Sequence, residues 1–319
     1  MTLAQLRSFV AVFRLGSVRA AAVELGVSEP AVSAAIAALR RELGDPLLVR
    51  AGRGLEITPG GRRLAIRAVD ILGLAAKTYR EVAEARGEDA VLRVGASSRV
   101  AEEVAPALLA AFQPRVPRVG VVLSAEPAES FSDQLADHSL DVAVGPRPAG
   151  GDGLQCVPFL RHHMILVTAP GHPLAGRAAN DEVPFEAVAR ESWLAGPFGH
   201  EPLTTEGVWL TRQRVWPAHV HAFPSHGEAL AAAAAGEGIT LAPLHRVRDD
   251  LRAGRLVAIP VRGIPITGFW YASVVDRHAI SPHVLALLRF VTTPDATQAV
   301  LSHIRDEHFR PPVHVTIWK

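Results

Sequence analysis

One stretch, beginning at Ser17, constrains the fold of this chain more than any other. Ser17 is a good helix N-cap and precedes an alanine-rich segment, Val18–Leu25, long enough for two turns of helix. Gly26 supplies a tight turn, and Ser28 then caps a second helix with Pro30 in its first turn, where the missing N–H costs nothing. Two short capped helices joined by a glycine turn predict a helix-turn-helix.

The second of these helices has one apolar face. Its members recur at spacings of four, three and four residues: Val32, Ile36, Leu39 and Leu43. Its N-terminal turn carries small polar residues. In a helix-turn-helix the second helix lies in the major groove and its N-terminal residues meet the base edges, so the stretch predicts a DNA-binding unit.

A short β-hairpin, or wing, is predicted next. Residues 47–50 and 55–58 alternate well enough for two strands around the turn Ala-Gly-Arg-Gly at 51–54. Arg50 and Arg53 on this wing suit a minor groove, where the negative potential favours arginine. The alternative for Arg50 is packing over the hairpin itself.

The first sixty or so residues resemble the winged helix-turn-helix of the LysR-type transcriptional regulators. The matching residues are Leu6, Phe9, Val12, Gly16, Ser17, Ala21, Ala22, Leu25, Ser28, Pro30, Ala31, Val32, Ser33, Ile36, Leu39, Leu43, Gly44, Leu47, Arg50, Thr58, Pro59 and Gly61. The resemblance implies sequence-specific DNA binding. The residues expected to contact DNA are Ser17, Ser28, Glu29, Pro30, Ser33, Arg50 and Arg53.

Three residues depart from the family pattern. Arg40 stands where Glu is usual, Leu48 where Phe is usual, and Glu29 where a DNA-contacting Gln is usual. A carboxylate at Glu29 is repelled by phosphate and cannot donate to an adenine edge, although it can accept from cytosine N4. Glu29 therefore bears on both the affinity and the sequence preference.

The charge distribution suits a DNA-binding N-terminus. The net charge of the whole chain is +1, but residues 1–63 hold nine Arg against five acidic residues. The one cysteine, Cys156, leaves no partner for an internal disulfide. With no recognisable signal peptide and no apolar run of membrane-spanning length, we expect a soluble, cytoplasmic protein without a membrane partner.

A long helix is predicted after the wing. Thr58 and Pro59 are its cap and first residue, and it is predicted to run to about Glu88. Its apolar stripe is narrow: Leu64, Ala68, Ile71, Ala75, Thr78 and Val82. Such a stripe suits a seam between two helices, although the helix could instead lie on its own domain. In the resembling family this linker helix makes the dimer, so the resemblance implies a homodimer or, if the effector domains pair further, a homotetramer.

From Val91 onward, predicted strands and helices alternate, which favours a parallel sheet. Strands are predicted at 91–95, 119–123, 141–145, 164–168, 193–195, 219–222, 239–242 and 268–275, and helices at 101–112, 129–137, 184–190, 204–214, 227–235 and 281–292. Two α/β lobes joined by two crossing segments match the effector domain of the same family, which is similar to periplasmic binding proteins.

The predicted fold is thus a winged helix-turn-helix, a long linker helix and a two-lobed α/β effector domain. The predicted boundaries are 1–58, 59–88 and 89–302, with a C-terminal tail at 303–319. Within the effector domain, lobe 1 takes about 89–163 and 268–295, and lobe 2 takes about 164–267.

Ligands of such lobes bind in the cleft between them, at the carboxyl ends of the strands. Ser97 and Ser98 follow the first predicted strand, where hydroxyl and backbone donors together suit an anion. The alternative is that either serine only caps a helix. The other residues expected to contact the effector are Ser124 and Glu126 from lobe 1, and Phe198, His200, Ser225 and His226 from lobe 2.

Enzymatic alternatives find little support in the sequence. It has no Gly-x-Gly-x-x-Gly, no phosphate loop and no His, Cys or Asp cluster at metal-ligand spacing, so neither catalysis, nor a cofactor, nor a metal is expected. His162 and His163 would point to opposite sides of a strand, and Asp249-Asp250 between arginines is predicted to be a solvated turn. A solute-binding protein would need an export signal and would lack the helix-turn-helix.

The sequence therefore predicts a transcriptional regulator modulated by a small, anionic metabolite bound between the lobes. Its expected partners are double-stranded DNA carrying an inverted repeat, the effector, RNA polymerase and further copies of the chain. Residues 224–244 and 263–271 are most like the regulators of carbon-fixation operons, whose effectors are phosphorylated metabolites.

Overall fold

Two compact units make up the chain. The computed structural model describes residues 1–51, 54–150, 153–175, 182–213, 216–275, 280–303 and 315–316. One unit comprises residues 1–88 with 136–139, and the other comprises residues 89–135 with 140–319.

Three helices form the core of the first unit: α1 (Leu3–Leu15), α2 (Val18–Leu25) and α3 (Glu29–Leu43). Their apolar faces meet in a cluster of fully buried side chains that includes Leu6, Phe9, Val12, Ala21, Val32, Ile36 and Leu39. Gly26 lies between α2 and α3 with φ 65°, a left-handed conformation that glycine adopts without strain. The two helices meet at 110°, which confirms the predicted helix-turn-helix.

The wing follows as two antiparallel strands, β1 (Leu48–Ala51) and β2 (Gly54–Ile57). Arg40 supports it from α3, because its Nε donates to the carbonyl of Pro46 and its Nη2 to the carbonyl of Leu48, both at 2.6 Å. A glutamate, which is usual here in the resembling family, could not donate to either carbonyl.

The linker helix, α4, spans Pro59–Ala85 and ends three residues before the predicted Glu88. Its N-terminal part is core: Ala65 and Ala68 are buried, and Leu64 packs against the helix-turn-helix cluster. Further along, the apolar side chains are exposed: Ile71, Leu74, Tyr79 and Val82. The predicted stripe therefore divides, since Leu64 and Ala68 cover the first unit's own core and only the later residues face outward.

The second unit begins with three parallel strands, β3 (Ala90–Ala96), β4 (Val119–Ala125) and β5 (Val142–Gly145). The other elements of this lobe are the helices α5 (Ser98–Glu103), α6 (Ala105–Phe112), α7 (Phe131–Ala136), α12 (Pro282–Val291) and α13 (Pro294–His303). Phe112, Leu123 and Leu287 are fully buried in the resulting core. These elements form lobe 1.

Two long antiparallel strands, β6 (Leu154–Thr168) and β11 (Ile266–Val275), cross between the lobes. β11 pairs with β5 of lobe 1, whereas β6 pairs with β9 (Thr240–Pro243) and β10 (Val257–Ala258) of lobe 2. One bulge interrupts the β6–β11 register between Trp270 and Tyr271.

Lobe 2 is built around Trp193, which is fully buried. Its remaining strands, β7 (Ser192–Ala195) and β8 (His219–Ala222), run parallel to each other. Its helices are α8 (Phe185–Val188), α9 (Thr205–Gln213), α10 (His226–Ala234) and α11 (Leu244–Arg252). The architecture confirms the predicted two-lobed α/β fold.

Several local predictions were wrong. The helix predicted at 101–112 is two helices that break at Val104, and the first already starts at Ser98. Asp249 and Asp250 lie inside α11 rather than in a turn. The sheet is also not wholly parallel, because β6 and β11 run antiparallel to their neighbours.

The C-terminal region holds two elements that the sequence did not predict. α13 packs on lobe 1 beyond the last predicted helix, and β12 (Val315–Thr316) pairs in parallel with β4. In the described part of the chain, no single helix is both long and apolar enough to cross a membrane; only α2 and α3, taken together as a bent pair, pass that test.

Candidate functional site

The N-terminal turns of α3 present an exposed polar surface. Ser28, Glu29, Pro30 and Ser33 are all exposed, while the opposite side of the helix is buried. The hydroxyl of Ser28 accepts from the backbone N–H of Ala31 at 3.4 Å, so it caps the helix. Glu29 is the first residue of α3, where a carboxylate is favoured by the helix dipole. That effect gives Glu29 a stabilising role in the absence of DNA.

The other expected DNA contacts are placed differently. Ser17 is half-buried and caps α2 by accepting from the N–H of Ala20 at 3.3 Å. The backbone of Arg50 lies in β1, but its side chain is outside the described structure, and Arg53 lies outside the described residues. The DNA contacts themselves stay predictions.

In the second unit, Ser98 lies where the two lobes meet. Ser98 is 8% exposed. Its Oγ lies 3.3 Å from Oε1 of Glu201 and 3.1 Å from Nε2 of His226, and both of these residues are in lobe 2. Ser97 is also buried, and its hydroxyl makes no capping bond to α5 within the described structure. The capping alternative therefore does not account for the Ser97 hydroxyl.

Glu201 reaches in the opposite direction, from lobe 2 into lobe 1. Its Oε2 accepts from the backbone N–H of Ala128 at 2.6 Å, and its Oε1 accepts from Ser98. Glu201 is 5% exposed, and this burial raises the pKa of its carboxyl to about 7, against the opposing effect of the N–H of Ala128.

Glu102 makes the corresponding contact from lobe 1 to lobe 2. Its two carboxylate oxygens accept from the backbone N–H groups of His226 and Gly227, at 2.7 and 2.8 Å. Ser225 caps the same helix by accepting from the N–H of Glu228 at 3.0 Å. The first turn of α10 thus has its donors satisfied by its own cap and by a carboxylate of the other lobe.

A buried arginine lies beside these contacts. Arg99 donates from Nη1 to Glu103 at 3.3 Å, from Nε to Glu206 at 3.4 Å, and from Nη2 to the carbonyl of Leu241 at 3.1 Å. Burial alone would lower the pKa of Arg99, but Glu103 and Glu206 together hold it above its usual value. Although burial opposes it, Arg99 in turn lowers the pKa of Glu206, so this pair is charged.

Four histidines around this pair are held neutral by burial. Burial lowers the pKa of His162 and of His245 to about 4, and it lowers the pKa of His200 and His226 as well. His162 stacks on Trp270 with ring centroids 4.3 Å apart and meets the hydroxyl of Thr205 at 2.9 Å. As predicted, His162 and His163 point apart on β6: His162 contacts Trp270 and Thr205, whereas Nδ1 of His163 lies 3.0 Å from the hydroxyl of Thr267.

The remaining expected effector residues do not join this cluster by hydrogen bonds in the described structure. Ser124 is half-buried on β4, and Glu126 accepts from Nε2 of Gln134 at 3.1 Å. Phe198 is 39% exposed, and His200 packs edge-on against Trp193. Of the eight predicted residues, the structure brings Ser98 and His226 together. Ser225 lies beside them because it caps α10, the helix that begins at His226.

Sequence reasoning missed the charged residues that join the lobes: Arg99, Glu102, Glu201 and Glu206. One local signal was available, since Arg99 and Glu103 are four residues apart on a helix and can pair. Among the residues that the structure describes, no group of three or more His, Cys, Asp or Glu side chains is arranged to hold a metal.

Comparison with known proteins relates both units to the same family. Residues 3–62 match the family described as bacterial regulatory helix-turn-helix protein, lysR family, and residues 85–294 match the LysR substrate binding domain. An uncharacterized HTH-type transcriptional regulator of Mycobacterium tuberculosis is 41% identical over 325 residues, covering 100% of both chains. The CbbR transcriptional regulator of Sinorhizobium medicae is 31% identical over 307 residues, covering 93% of this chain and 94% of its own.

Solved structures share the fold. ArgP from Mycobacterium tuberculosis aligns with a TM-score of 0.61 at 21% identity, over 92% of this chain and 96% of that one. Full-length CbnR in complex with its target DNA aligns with a TM-score of 0.58 at 21% identity, over 91% and 99%. The relatives from Mycobacterium tuberculosis and Sinorhizobium medicae are named as transcriptional regulators, not as enzymes. The chain therefore belongs to the LysR family of transcriptional regulators, which bind DNA under the control of a small-molecule effector.

Proposed function

We propose that two copies of this chain place their α3 helices in successive major grooves of an inverted repeat. The observation that supports this is the exposed N-terminal surface of α3, which carries Ser28, Glu29, Pro30 and Ser33, while Val32, Ile36 and Leu39 on the opposite face are buried. Ser17, Arg50 and Arg53 would add contacts to the phosphates and the minor groove. As a DNA-binding regulator, the protein would act in the cytoplasm.

Residues 59–88 form the dimer seam in this proposal, between a DNA-binding domain at 1–58 and an effector domain at 89–302. Support comes from α4, whose Ile71, Leu74 and Val82 are exposed beyond the part that covers its own core. Exposed apolar residues in a helical stripe favour pairing with an equivalent helix. Pairing of the effector domains would then give a tetramer, and RNA polymerase would be the further partner.

The effector binds between the two lobes, at Ser97 and Ser98. Ser98 supports this placement, because it is buried between the lobes and bonds to side chains of lobe 2. One relative is named RuBisCO operon transcriptional regulator, at 28% identity, and another is named CbbR, at 31% identity. This similarity favours an anionic, phosphorylated metabolite as the effector. Such a ligand changes transcription only by its different affinity for the two lobe arrangements.

The DNA-binding part is tested with Ser33→Arg and Ser33→Glu in gel shifts on the promoter adjacent to the gene. Ser33 is exposed one turn into α3, so a large or charged side chain there should abolish specific binding while dimerisation and folding persist. Ala4→Glu is the matched control, because Ala4 is exposed on α1 and the start of α1 lies beside the C-terminal end of α3, where the Met1 ammonium pairs with Glu42. Unchanged gel shifts with both Ser33 variants would refute the placement of α3.

The effector part is tested by thermal shift of the full-length protein against central metabolites, phosphorylated ones included. A ligand that binds only the folded protein raises the melting temperature in proportion to RT ln(1 + [L]/Kd). A hit whose shift is smaller in the Ser97→Ala, Ser98→Ala double variant at the same ligand concentration supports binding between the lobes. A hit whose shift is unchanged in that variant places the effector elsewhere.

A further inference from the structure

The strongest unexplained feature of the second unit is that each lobe sends a glutamate into the backbone of the other. Glu102 of lobe 1 accepts from the N–H groups of His226 and Gly227, at 2.7 and 2.8 Å. Glu201 of lobe 2 accepts from the N–H of Ala128 at 2.6 Å. Neither contact is between neighbours in sequence, since the partners are 124, 125 and 73 residues apart.

These contacts exist only when the lobes are close together. Besides the contacts of Ser98 and Arg99 described above, the lobes are joined through β6 and β11, which run through both of them. If the lobes separated, the N–H groups of α10 and of Ala128 and both carboxylates would have to exchange these bonds for water. Bonds that are present in one arrangement and absent in another bias the equilibrium toward the first.

We propose that Glu102 and Glu201 form a reciprocal latch that holds the two lobes closed in the absence of effector. Each is a positioning residue: it acts through the arrangement of the lobes. One consequence of the latch rests on the proposed function: an anionic effector that enters beside Ser98 must replace the latch rather than add to it.

The reason for replacement is electrostatic. Ser98, the predicted anion contact, already donates to Glu201, and the N-terminus of α10 already holds the carboxylate of Glu102. The cation nearby, Arg99, is engaged with Glu103 and Glu206. A further anion in this buried region would lie close to these carboxylates and be repelled by them, so its binding is favoured when it displaces one of them from its donors.

The latch is tested in the ligand-free, full-length protein by measuring the distance between the lobes. Spin labels are attached to Leu285→Cys in lobe 1 and Glu186→Cys in lobe 2, both at exposed positions, in a Cys156→Ser background. An excess of unlabelled chain keeps distances between subunits out of the measurement. Pulsed dipolar spectroscopy then gives the distance distribution, and hence the ratio of open to closed lobes.

Glu102→Gln removes a charged acceptor and leaves one amide oxygen for the two N–H groups of α10, and Glu201→Ala removes the acceptor of the Ala128 N–H, which a glutamine there could still hold. Loss of hydrogen bonds to a charged group should raise the open-to-closed ratio by about tenfold or more. Glu237→Gln is the matched control, because it removes the same charge from an exposed position just beyond α10 and should leave the distribution unchanged. Distributions identical to the parent in both test variants would overturn the latch.

If Glu102→Gln fails to fold, Glu102→Asp replaces it, since aspartate keeps the charge but withdraws it by one methylene. A broadened or lengthened distance in Glu102→Asp supports the latch, and a parental distribution overturns it. These outcomes are independent of effector binding. If the measured lobe distances contradict the latch, the thermal-shift result is still valid. If the metabolite screen finds no ligand, the measured lobe distances are still valid.

Discussion

Glu103 allows a quantitative test of the buried charge between the lobes. Its side chain is 9% exposed, its Oε1 accepts from Arg99 at 3.3 Å, and its Oε2 has no hydrogen-bond partner in the described structure. Burial raises the pKa of Glu103 from 4.5 to about 7, although Arg99 acts in the opposite direction. The folded protein therefore binds this proton more tightly than the unfolded chain does.

The sign of the effect on stability follows from that difference. Stability is greatest below the unfolded pKa of 4.5 and falls as the pH rises toward the folded pKa of about 7, above which the loss is complete. At about 1.4 kcal/mol per pKa unit, the ionised carboxylate destabilises the folded protein by about 3 kcal/mol. Glu103→Gln should remove this penalty, because glutamine has the same shape and no charge to bury.

The assay is urea unfolding followed by tryptophan fluorescence, because residues 1–190 contain no tryptophan and Trp193, Trp209, Trp216 and Trp270 report on the effector domain. At about pH 5.5 the variant should already be the more stable by about 1.4 kcal/mol, because the unfolded chain ionises above its pKa of 4.5 while Glu103 in the folded protein stays mostly protonated. At about pH 8.5 the variant should be the more stable, by up to about 3 kcal/mol. The exposed Glu237→Gln serves as control. A difference between variant and parent that is the same at both pH values would refute the reasoning.

Three further predictions concern DNA binding, the effector and assembly. Glu29→Gln should tighten operator binding, by about 1 kcal/mol or less, because it removes a carboxylate close to phosphate; fluorescence anisotropy on native and altered half-sites measures it. Replacing Ser97 and Ser98 by alanine should weaken effector binding by about 1–3 kcal/mol and shift the transcriptional response to higher concentrations, with basal operator binding intact. Leu74→Glu, at a 50% exposed position of α4, should weaken the dimer by about 1–3 kcal/mol, as measured by sedimentation against a Val23→Glu control, since Val23 is exposed on α2 outside the seam.

Each of these has an outcome that contradicts it. If Glu29→Gln weakens binding to the native site alone, Glu29 accepts from a cytosine and the repulsion argument is wrong; no change at all places Glu29 away from the groove. A normal effector response in the folded serine double variant moves the contact to Ser124 or Ser225. An unaltered dimer with Leu74→Glu removes the exposed part of α4 from the seam.

Local signals in the sequence were enough to predict the first unit. The helix predicted at Val18–Leu25 has the observed bounds, and Ser28 caps α3 as expected, because caps and glycine turns depend on neighbouring residues only. The break between α5 and α6 was also signalled, although it was missed: Pro106 sits in the first turn of α6 and marks a helix start. α11 was missed as well, although Leu244, Val247 and Leu251 recur at spacings of three and four residues and pack against the core.

The cleft could be located from the sequence but not described. The order of strands and helices placed Ser97 and Ser98 at the carboxyl end of a strand, and Ser98 indeed lies between the lobes. Its partners Glu201 and His226 are 103 and 128 residues away, and no local pattern connects positions so far apart. Charged side chains such as Glu102 read as solvated in the sequence, and only the packing of the two lobes shows what they bind.

The crossing strands determine what kind of motion the effector domain can transmit. β6 and β11 pair along ten residues of β11, so the connection between the lobes is a hydrogen-bonded ribbon that resists stretching and in-plane bending but yields to torsion. The ladder is interrupted at the bulge at Trp270 and Tyr271, where Phe159 is the extra residue of β6 and Pro158 supplies no N–H. A twisted ribbon keeps its hydrogen bonds and exerts a restoring torque. An effector that rearranges the lobes therefore does work against this torque, and the same torque returns the domain to its starting arrangement once the effector has left.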